Sequence, residues 1–306
     1  MKKKTKIIYV LSHPYSGSTL LGLFLGNIPK ITNLGEVVYL SSDYSDKKKC
    51  SCGSQLKDCC FWGEFRKRIE NINCDLSHEL FKSRKRDNID ERGGGYKLFL
   101  RLGFPLGLFF NKKERFLYTQ KNETFFNEID SFDIKTDFFV DLSKTSERLE
   151  LLKSSDTLDV YLIHLKRDLR SVFGSLLKRP KKTRAKYPFK SLRELLWLLI
   201  NERQNRKSFL NHDPEKAYTL IWNEFVKSPS FEVQKMFHHF RSENLQINKE
   251  NRNININDQH VYVGNLWLTR GTRKSIVISE RDNKDKLTKA QSMVFNLLNS
   301  ILRFEK

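Results

Sequence analysis

The chain has 306 residues, 39% of them hydrophobic, and carries 56 Lys and Arg against 36 Asp and Glu, a formal charge of +20. This length builds one large α/β domain, or a domain with insertions, around an ample core, and the charge favours an anionic ligand, a glycan or a membrane surface. Nucleic acid is not indicated, because no RNA- or DNA-binding signature occurs and the basic residues are scattered along the chain.

The opening MKKKTK looks like a signal n-region, but the strand that follows ends at His13-Pro14 and is too short for a signal core or a membrane span. A cytoplasmic protein is expected. From Lys6 to Leu21, KIIYVLSHPYSGSTLL reads as an apolar strand, a short turn and a helix. A helix N-terminus leaves backbone N–H groups unpartnered at the positive end of the dipole, and the small Ser16, Gly17, Ser18 and Thr19 let a phosphate approach both. An ATP- or GTP-binding loop places Gly-Lys before its Ser/Thr to reach the β- and γ-phosphates. Here Gly17 precedes Ser18 and the loop has no lysine, which suits a nucleotide with a single 5′-phosphate used without metal. The bland alternative is an ordinary α/β strand–turn–helix.

Next come Cys50, Cys52, Cys59 and Cys60 in CSCGSQLKDCCFW, with Cys74 standing alone. In a reducing compartment clustered thiols bind metal more readily than they pair. The C-x-C-x6-C-C spacing is not a usual two-knuckle zinc pattern, so free thiols in a loop are the default expectation and a structural zinc the alternative. The region from about 50 to 135 does not read as sheet. It is expected as a helical insertion that covers the site and forms the acceptor side, with Gly93-Gly94-Gly95 as a hinge. Its apolar tract from Leu98 to Phe110 is too short to span a membrane, leaving a buried helix–turn–helix contact or an interfacial segment.

Strands are expected at Ile7 to Ser12, Ile31 to Asn33, Phe138 to Asp141 and Val160 to Leu165, alternating with helical periodicity. The predicted fold class is α/β, a P-loop-like parallel sheet flanked by helices. In such sheets ligands sit at the carboxyl ends of the strands, which delivers Ser16 to Thr19, Lys144 and Arg167 to one edge. Ser175 lies eight residues beyond Arg167; a guanidinium fork and a hydroxyl together can hold a phosphate dianion. A basic loop, KKTRAKYPFK, follows Pro180, then a helix from about Leu192 to Leu210 with Trp197 in the core, then a low-complexity, surface-exposed NKENRNININ.

Taken together these segments resemble the sulfotransferases that use 3′-phosphoadenosine 5′-phosphosulfate, in their bacterial carbohydrate- and tyrosyl-modifying branch. The match runs through Tyr15-Ser-Gly-Ser-Thr19, Gly35-Glu36, Asp141-Leu-Ser-Lys144, Arg167-Asp-Leu-Arg170 with Ser175, and His260-Val-Tyr-Val-Gly264-Asn265. The CSCG…CCFW segment also looks like one in bacterial members.

The resemblance implies that Tyr15 to Thr19 hold the 5′-phosphosulfate and that Arg167 and Ser175 hold the 3′-phosphate. It further implies that Glu36 is the base for an acceptor hydroxyl and that Lys144 neutralises the leaving oxygen. Asn265 and Arg270 add donor contacts. The family pattern often has Lys or Arg at the place of Tyr15, and Arg at the place of Leu268, for which Arg270 or Arg273 stands in. The implied acceptor is a hydroxyl of a glycan or glycolipid, with peripheral membrane contact an option and no catalytic metal. On the residues alone, Glu36 as a surface ion pair, Lys144 as a solvated charge, His260 as a hydrogen-bonded structural residue and Asp168 as a structural ion pair remain open. So do a P-loop-related kinase and a non-catalytic polyanion-binding protein.

Overall fold

The computed structural model describes residues 4–40, 48–71, 112–177, 190–242, 245, 247, 252–262, 275–278, 287 and 289–302. Its centre is one sheet of β1 (Thr5–Ser12), β2 (Ile31–Asn33), β3 (Phe138–Lys144), β4 (Leu158–Lys166) and β5 (Ala217–Ile221), ordered β2-β3-β1-β4-β5 and parallel throughout. A sheet covered on both faces needs strands apolar on both sides. β1 meets this requirement, with every residue except Lys6 buried. The four expected strands are present; β5, five residues of AYTLI, is an additional edge strand that sequence reading missed.

Alternate residues of β1 feed two cores. Ile7, Tyr9 and Leu11 face α2 (Trp62–Asn71), α3 (Lys112–Phe132) and α4 (Ser146–Lys153), meeting Trp62, Phe65, Phe125, Phe126, Leu149 and Leu152. Ile8 and Val10 face α1 (Ser18–Leu25), α7 (Trp222–Lys227) and α8 (Pro229–His239). A third cluster joins α5 (Leu169–Leu177), α6 (Lys190–Leu210) and α9 (Lys289–Leu302) through Val172, Phe173, Leu198 and Phe295, with Trp197 packed against it. The described pieces of the expected insertion, 48–71 and 112–135, thus contribute to the core on one sheet face. Gly93 to Gly95, the Leu98–Phe110 tract and the basic loop after Pro180 lie outside the described residues.

The NKENRNININ stretch departs from expectation. Asn253–Asn255 forms β6, antiparallel to β7 (Ser275–Val277), and Ile254 and Ile256 are fully buried while Asn253 and Asn255 face out. The alternation of Asn and Ile is a strand period, which a purely compositional reading overlooks. Among the described residues, no helix is long and apolar enough to cross a membrane.

Candidate active site

The parallel register brings the loops after all five strands to one edge. Ser12 lies beside Leu165 of β4, Leu11 beside Lys144 of β3, and Lys166 beside Ile221 of β5. β2 continues into Gly35, whose carbonyl accepts from Leu142 N at 2.8 Å. Along this edge the chain builds β2 and β3 to one side of β1 and then crosses from β3 to build β4 and β5 on the other; in open parallel sheets ligands bind at such a reversal of strand order.

The loop after β1 closes on itself. Ser16 donates both its amide (3.3 Å) and its hydroxyl (2.6 Å) to the His13 carbonyl, so those donors serve the turn rather than a ligand. Gly17 is the N-cap of α1 at φ 94°, and its carbonyl accepts from Leu20 N (2.9 Å) and Leu21 N (3.1 Å). The Ser18 and Thr19 amides therefore precede the first intrahelical bonds, and no acidic side chain in that turn offsets the dipole. A side chain at Gly17 is excluded twice: by the positive φ, and by the Trp222 ring, which would sit 2.1 Å from a Cβ.

Arg167, the first residue past β4, reaches this loop. Its Nη1 donates to the Tyr15 carbonyl at 2.6 Å, and its guanidinium carbon lies 5.6 Å from the centre of the Trp222 ring. Burial lowers its pKa from a very high starting value. Ser175 sits two turns into α5 and donates its one hydroxyl proton to the Ser171 carbonyl at 2.9 Å, so that proton serves the helix rather than a ligand. Asp168, expected as an ion-pair partner, instead caps α5, accepting from Ser171 N (2.8 Å) and Ser171 Oγ (2.7 Å).

On the other side of β1, Lys144 Nζ donates to Glu36 Oε1 at 2.6 Å, with 16% and 17% of the two side chains exposed. The pairing register between β1 and β3 slips between Tyr9 and Leu11, and Lys144 adopts φ 70° at the slip. Behind it, the buried Asp141 pairs with Arg148 Nε at 2.8 Å, and Arg148 Nη1 donates to Tyr118 Oη (2.7 Å) and Asn122 Oδ1 (2.8 Å). Asp141 also accepts from Ser143 N (2.9 Å) and Ser143 Oγ, and Ser143 Oγ accepts from Val38 N (3.1 Å). Removing one partner of such a buried pair costs about 3–5 kcal/mol, so the strand end carrying Lys144 is firmly held.

A second buried pair braces the loop after β1. His13 Nε2 and Glu202 Oε2, from α6, lie 2.7 Å apart. Burial pushes the Glu202 carboxyl up, but the bond and charge of His13, with His164 and Lys166, outweigh it and hold the group below its ordinary value. Burial, chiefly, drops the adjacent His164 to about 4. Sequence reading missed Trp222, Glu202, Arg148 and Tyr118. Each is a single polar or aromatic residue on a helix, with no spacing signal to separate it from a solvated or core position.

Of the residues named from sequence, Tyr15, Ser16, Gly17, Ser18, Thr19, Glu36, Lys144 and Arg167 lie on the strand ends, loops or first helical turn at this edge, while Ser175 lies two turns into α5. Asn265, Arg270 and Arg273 lie outside the described residues. Cys50, Cys52 and Cys59 come together elsewhere, with His260 as their fourth neighbour and Cys60 exposed.

No family model and no curated protein matches the chain. Among solved structures it is similar to the sulfotransferase domain from the curacin biosynthetic pathway, at 13% identity over 99% of both chains with a TM-score of 0.49. It is also similar to sulfotransferase STF9 from Mycobacterium avium, at 13% identity over 98% of this chain and 77% of that one, with a TM-score of 0.48. A third is the sulfotransferase domain of the Synechococcus PCC 7002 olefin synthase, at 17% identity over 79% of this chain and 74% of that one, with a TM-score of 0.42. At these identities and scores the likeness assigns no residue a role.

Proposed function

We propose that this chain is a sulfotransferase that moves a sulfuryl group from 3′-phosphoadenosine 5′-phosphosulfate to a hydroxyl of a carbohydrate or glycoconjugate. The observation that carries the reading is the contact of Arg167 with the phosphate loop at Tyr15, on the same sheet edge as the Glu36–Lys144 pair. A donor phosphorylated at both ends needs two anion sites a nucleoside apart. We assign one to the α1 N-terminus and the other to Arg167, with Ser175 joining it by turning its hydroxyl from the Ser171 carbonyl to the phosphate. Ser18 and Thr19 add hydroxyls at the first site.

In the reaction, the acceptor oxygen attacks sulfur in line while Glu36 takes its proton. The new O–S bond forms as the bond between sulfur and the bridging phosphate oxygen breaks, and adenosine 3′,5′-bisphosphate departs. To Lys144 we assign the neutralisation of charge growing on that bridging oxygen. Negative charge spreads over the sulfuryl oxygens in flight, so positioning and fixed cations carry most of the catalysis, as in phosphoryl transfer. The net charge of +20 suits an acceptor that is already anionic or lipid-linked. With a cytoplasmic site, a glycolipid acceptor would be met at the membrane face.

A thermal-shift comparison tests the donor, because a ligand that prefers the folded state raises its melting point. Adenosine 3′,5′-bisphosphate should raise it more than AMP or ATP. Equal shifts with all three, or a response only to heparin-like chains, would replace the reading with polyanion binding; preference for ATP with magnesium would make it a kinase. Labelled donor offered to fractionated cell-envelope glycans then identifies the acceptor.

A further inference from the structure

Away from the sheet edge, the Sγ atoms of Cys50, Cys52 and Cys59 and a ring nitrogen of His260 all lie within 4.8 Å of one another. We propose that these four side chains hold one structural zinc ion, with Cys60 outside the ligand set.

The backbone builds the cluster from three separate segments. Gly53 N bonds to the Cys50 carbonyl (2.9 Å) and Cys50 N to the Ser54 carbonyl (2.9 Å), closing a tight turn that Gly53 completes at φ 94°. An antiparallel bridge between Lys49 and Gln55 closes the hairpin, which carries Cys50 and Cys52. Cys59 follows a 3₁₀ turn, Leu56–Asp58, and its carbonyl accepts from Gly63 N (2.8 Å) at the start of α2. His260 comes from the far end of the chain and is held by its neighbours. Ser51 N donates to the Val261 carbonyl (2.8 Å), Val261 N to Ser51 Oγ (3.0 Å), and Ser51 Oγ to the Gln259 carbonyl. Trp62 Nε1 donates to the His260 carbonyl, and the Phe61 ring lies parallel to the imidazole, 5° apart in plane.

The distances are those of a metal site. Zinc holds sulfur at about 2.3 Å and imidazole nitrogen at about 2.0–2.1 Å in a tetrahedron, which sets two sulfurs about 3.8 Å apart and sulfur about 3.6 Å from nitrogen. Cys52 Sγ lies 3.9 Å from Cys59 Sγ, and Cys59 Sγ lies 3.4 Å from His260 Nδ1. The sulfur separation is far beyond the roughly 2.05 Å of a disulfide. With Nδ1 turned to the cluster, Nε2 faces Cys60 Sγ at 3.7 Å, so Cys60 takes the outer position that orients a ligating imidazole. Three thiolates and one imidazole select zinc over the hard cations, and four protein ligands close the site, giving it a structural role.

The ion would bind the hairpin and the start of α2 to the 259–262 segment. That segment in turn reaches the turn after Glu36, since Tyr262 Oη donates to the Leu40 carbonyl at 2.8 Å. The test is metal analysis of the full-length protein purified without chelator, with X-ray absorption at the zinc edge. One zinc per chain with a first shell of three sulfurs and one nitrogen is expected. Cys60→Ser should retain the zinc, whereas Cys52→Ser and His260→Ala should lose most of it. Purified wild-type protein with only background zinc overturns the proposal. So does a shell of four sulfurs, or retention in His260→Ala with loss in Cys60→Ser. The absorption measurement needs no variant, so misfolding of a substituted chain does not blunt it.

Discussion

Gly17→Ala tests the packing of the loop after β1 on Trp222, the ring beside Arg167. A Cβ there would stand 2.1, 2.4 and 2.5 Å from three carbons of the Trp222 ring, and the residue would have to keep φ near +94°. The backbone strain is worth about 1–2 kcal/mol. Displacing the ring adds an overpacking penalty of about 1–3 kcal/mol. The loss of the Arg167–Trp222 contact adds about 0.5–1 kcal/mol. Urea unfolding should therefore show Gly17→Ala less stable by about 2.5–6 kcal/mol, summing those contributions. In a Trp222→Ala background only the backbone part survives, so the same substitution should cost about 1–2 kcal/mol. Calorimetric affinity for adenosine 3′,5′-bisphosphate should fall at least about tenfold in the single variant, since both the helix amides and Arg167 move. An equal stability loss in both backgrounds would refute the steric coupling to Trp222, and an unchanged affinity would remove the loop from the donor site.

Glu36→Gln should lower turnover by about 10²–10⁴ while leaving donor affinity intact, as expected for loss of a general base. Normal turnover in this variant would end the base assignment. Arg167→Ala should weaken adenosine 3′,5′-bisphosphate binding roughly ten- to hundredfold, the value of a charged hydrogen bond, measured by calorimetry; binding equal to wild type would detach Arg167 from the donor. Acidification should destabilise the fold through His164. Its imidazole titrates at 6.5 when unperturbed and at about 4 when folded, chiefly because of burial. Between those values the unfolded chain takes up a proton that the folded chain refuses. Stability is thus whole above the unfolded value and falls by about 3 kcal/mol on the way down to the folded one. Glu202, held below its ordinary value, extends the loss in the same direction at lower pH. Urea unfolding measured across that window should lose most of its slope in His164→Gln; a slope identical to wild type would assign the acid sensitivity elsewhere.

The sheet was legible in the sequence because a parallel strand buried on both faces is a continuous apolar run. IIYVLS, FFVD and VYLIHL stand out against a chain that is 30% charged. β5 escaped because AYTLI is short and sits at the sheet edge, where only Ala217 and Leu220 are buried. The turn from Ser16 to Thr19 was legible for a different reason: a run of consecutive small residues between an apolar strand and a helix is visible in one dimension. Glu202 and Arg148 were not legible, because their partners His13 and Asp141 come from other elements, and a lone charge on a helix looks the same whether it faces water or a buried counter-charge. His260 illustrates this most plainly. The cysteines alone left free thiols as the default and a four-sulfur zinc as the alternative, whereas the imidazole beside Cys59 is supplied 201 positions away.

The site's backbone shows why these distant supports matter. Tyr15 and Lys144 are non-glycine residues with φ of 67° and 70°, and Gly17 and Gly35 lie at 94° and 73°, so the loops after β1 and β2 and the end of β3 all hold left-handed conformations at one edge. For residues with a Cβ such conformations persist only when the surroundings over-determine them. Here two of the supports are buried pairs, Glu202 on His13 at one end of the Tyr15 loop and Arg148 on Asp141 behind Lys144, and the third is the hydrogen bond from Arg167 to the Tyr15 carbonyl. Buried pairs contribute little to net stability beside apolar packing, but they tolerate few alternative geometries. The same side chains that add least to the hydrophobic core therefore fix the loop amides, the guanidinium and the Glu36–Lys144 pair relative to one another. Chemistry that depends on positioned charge needs that arrangement before its substrate arrives.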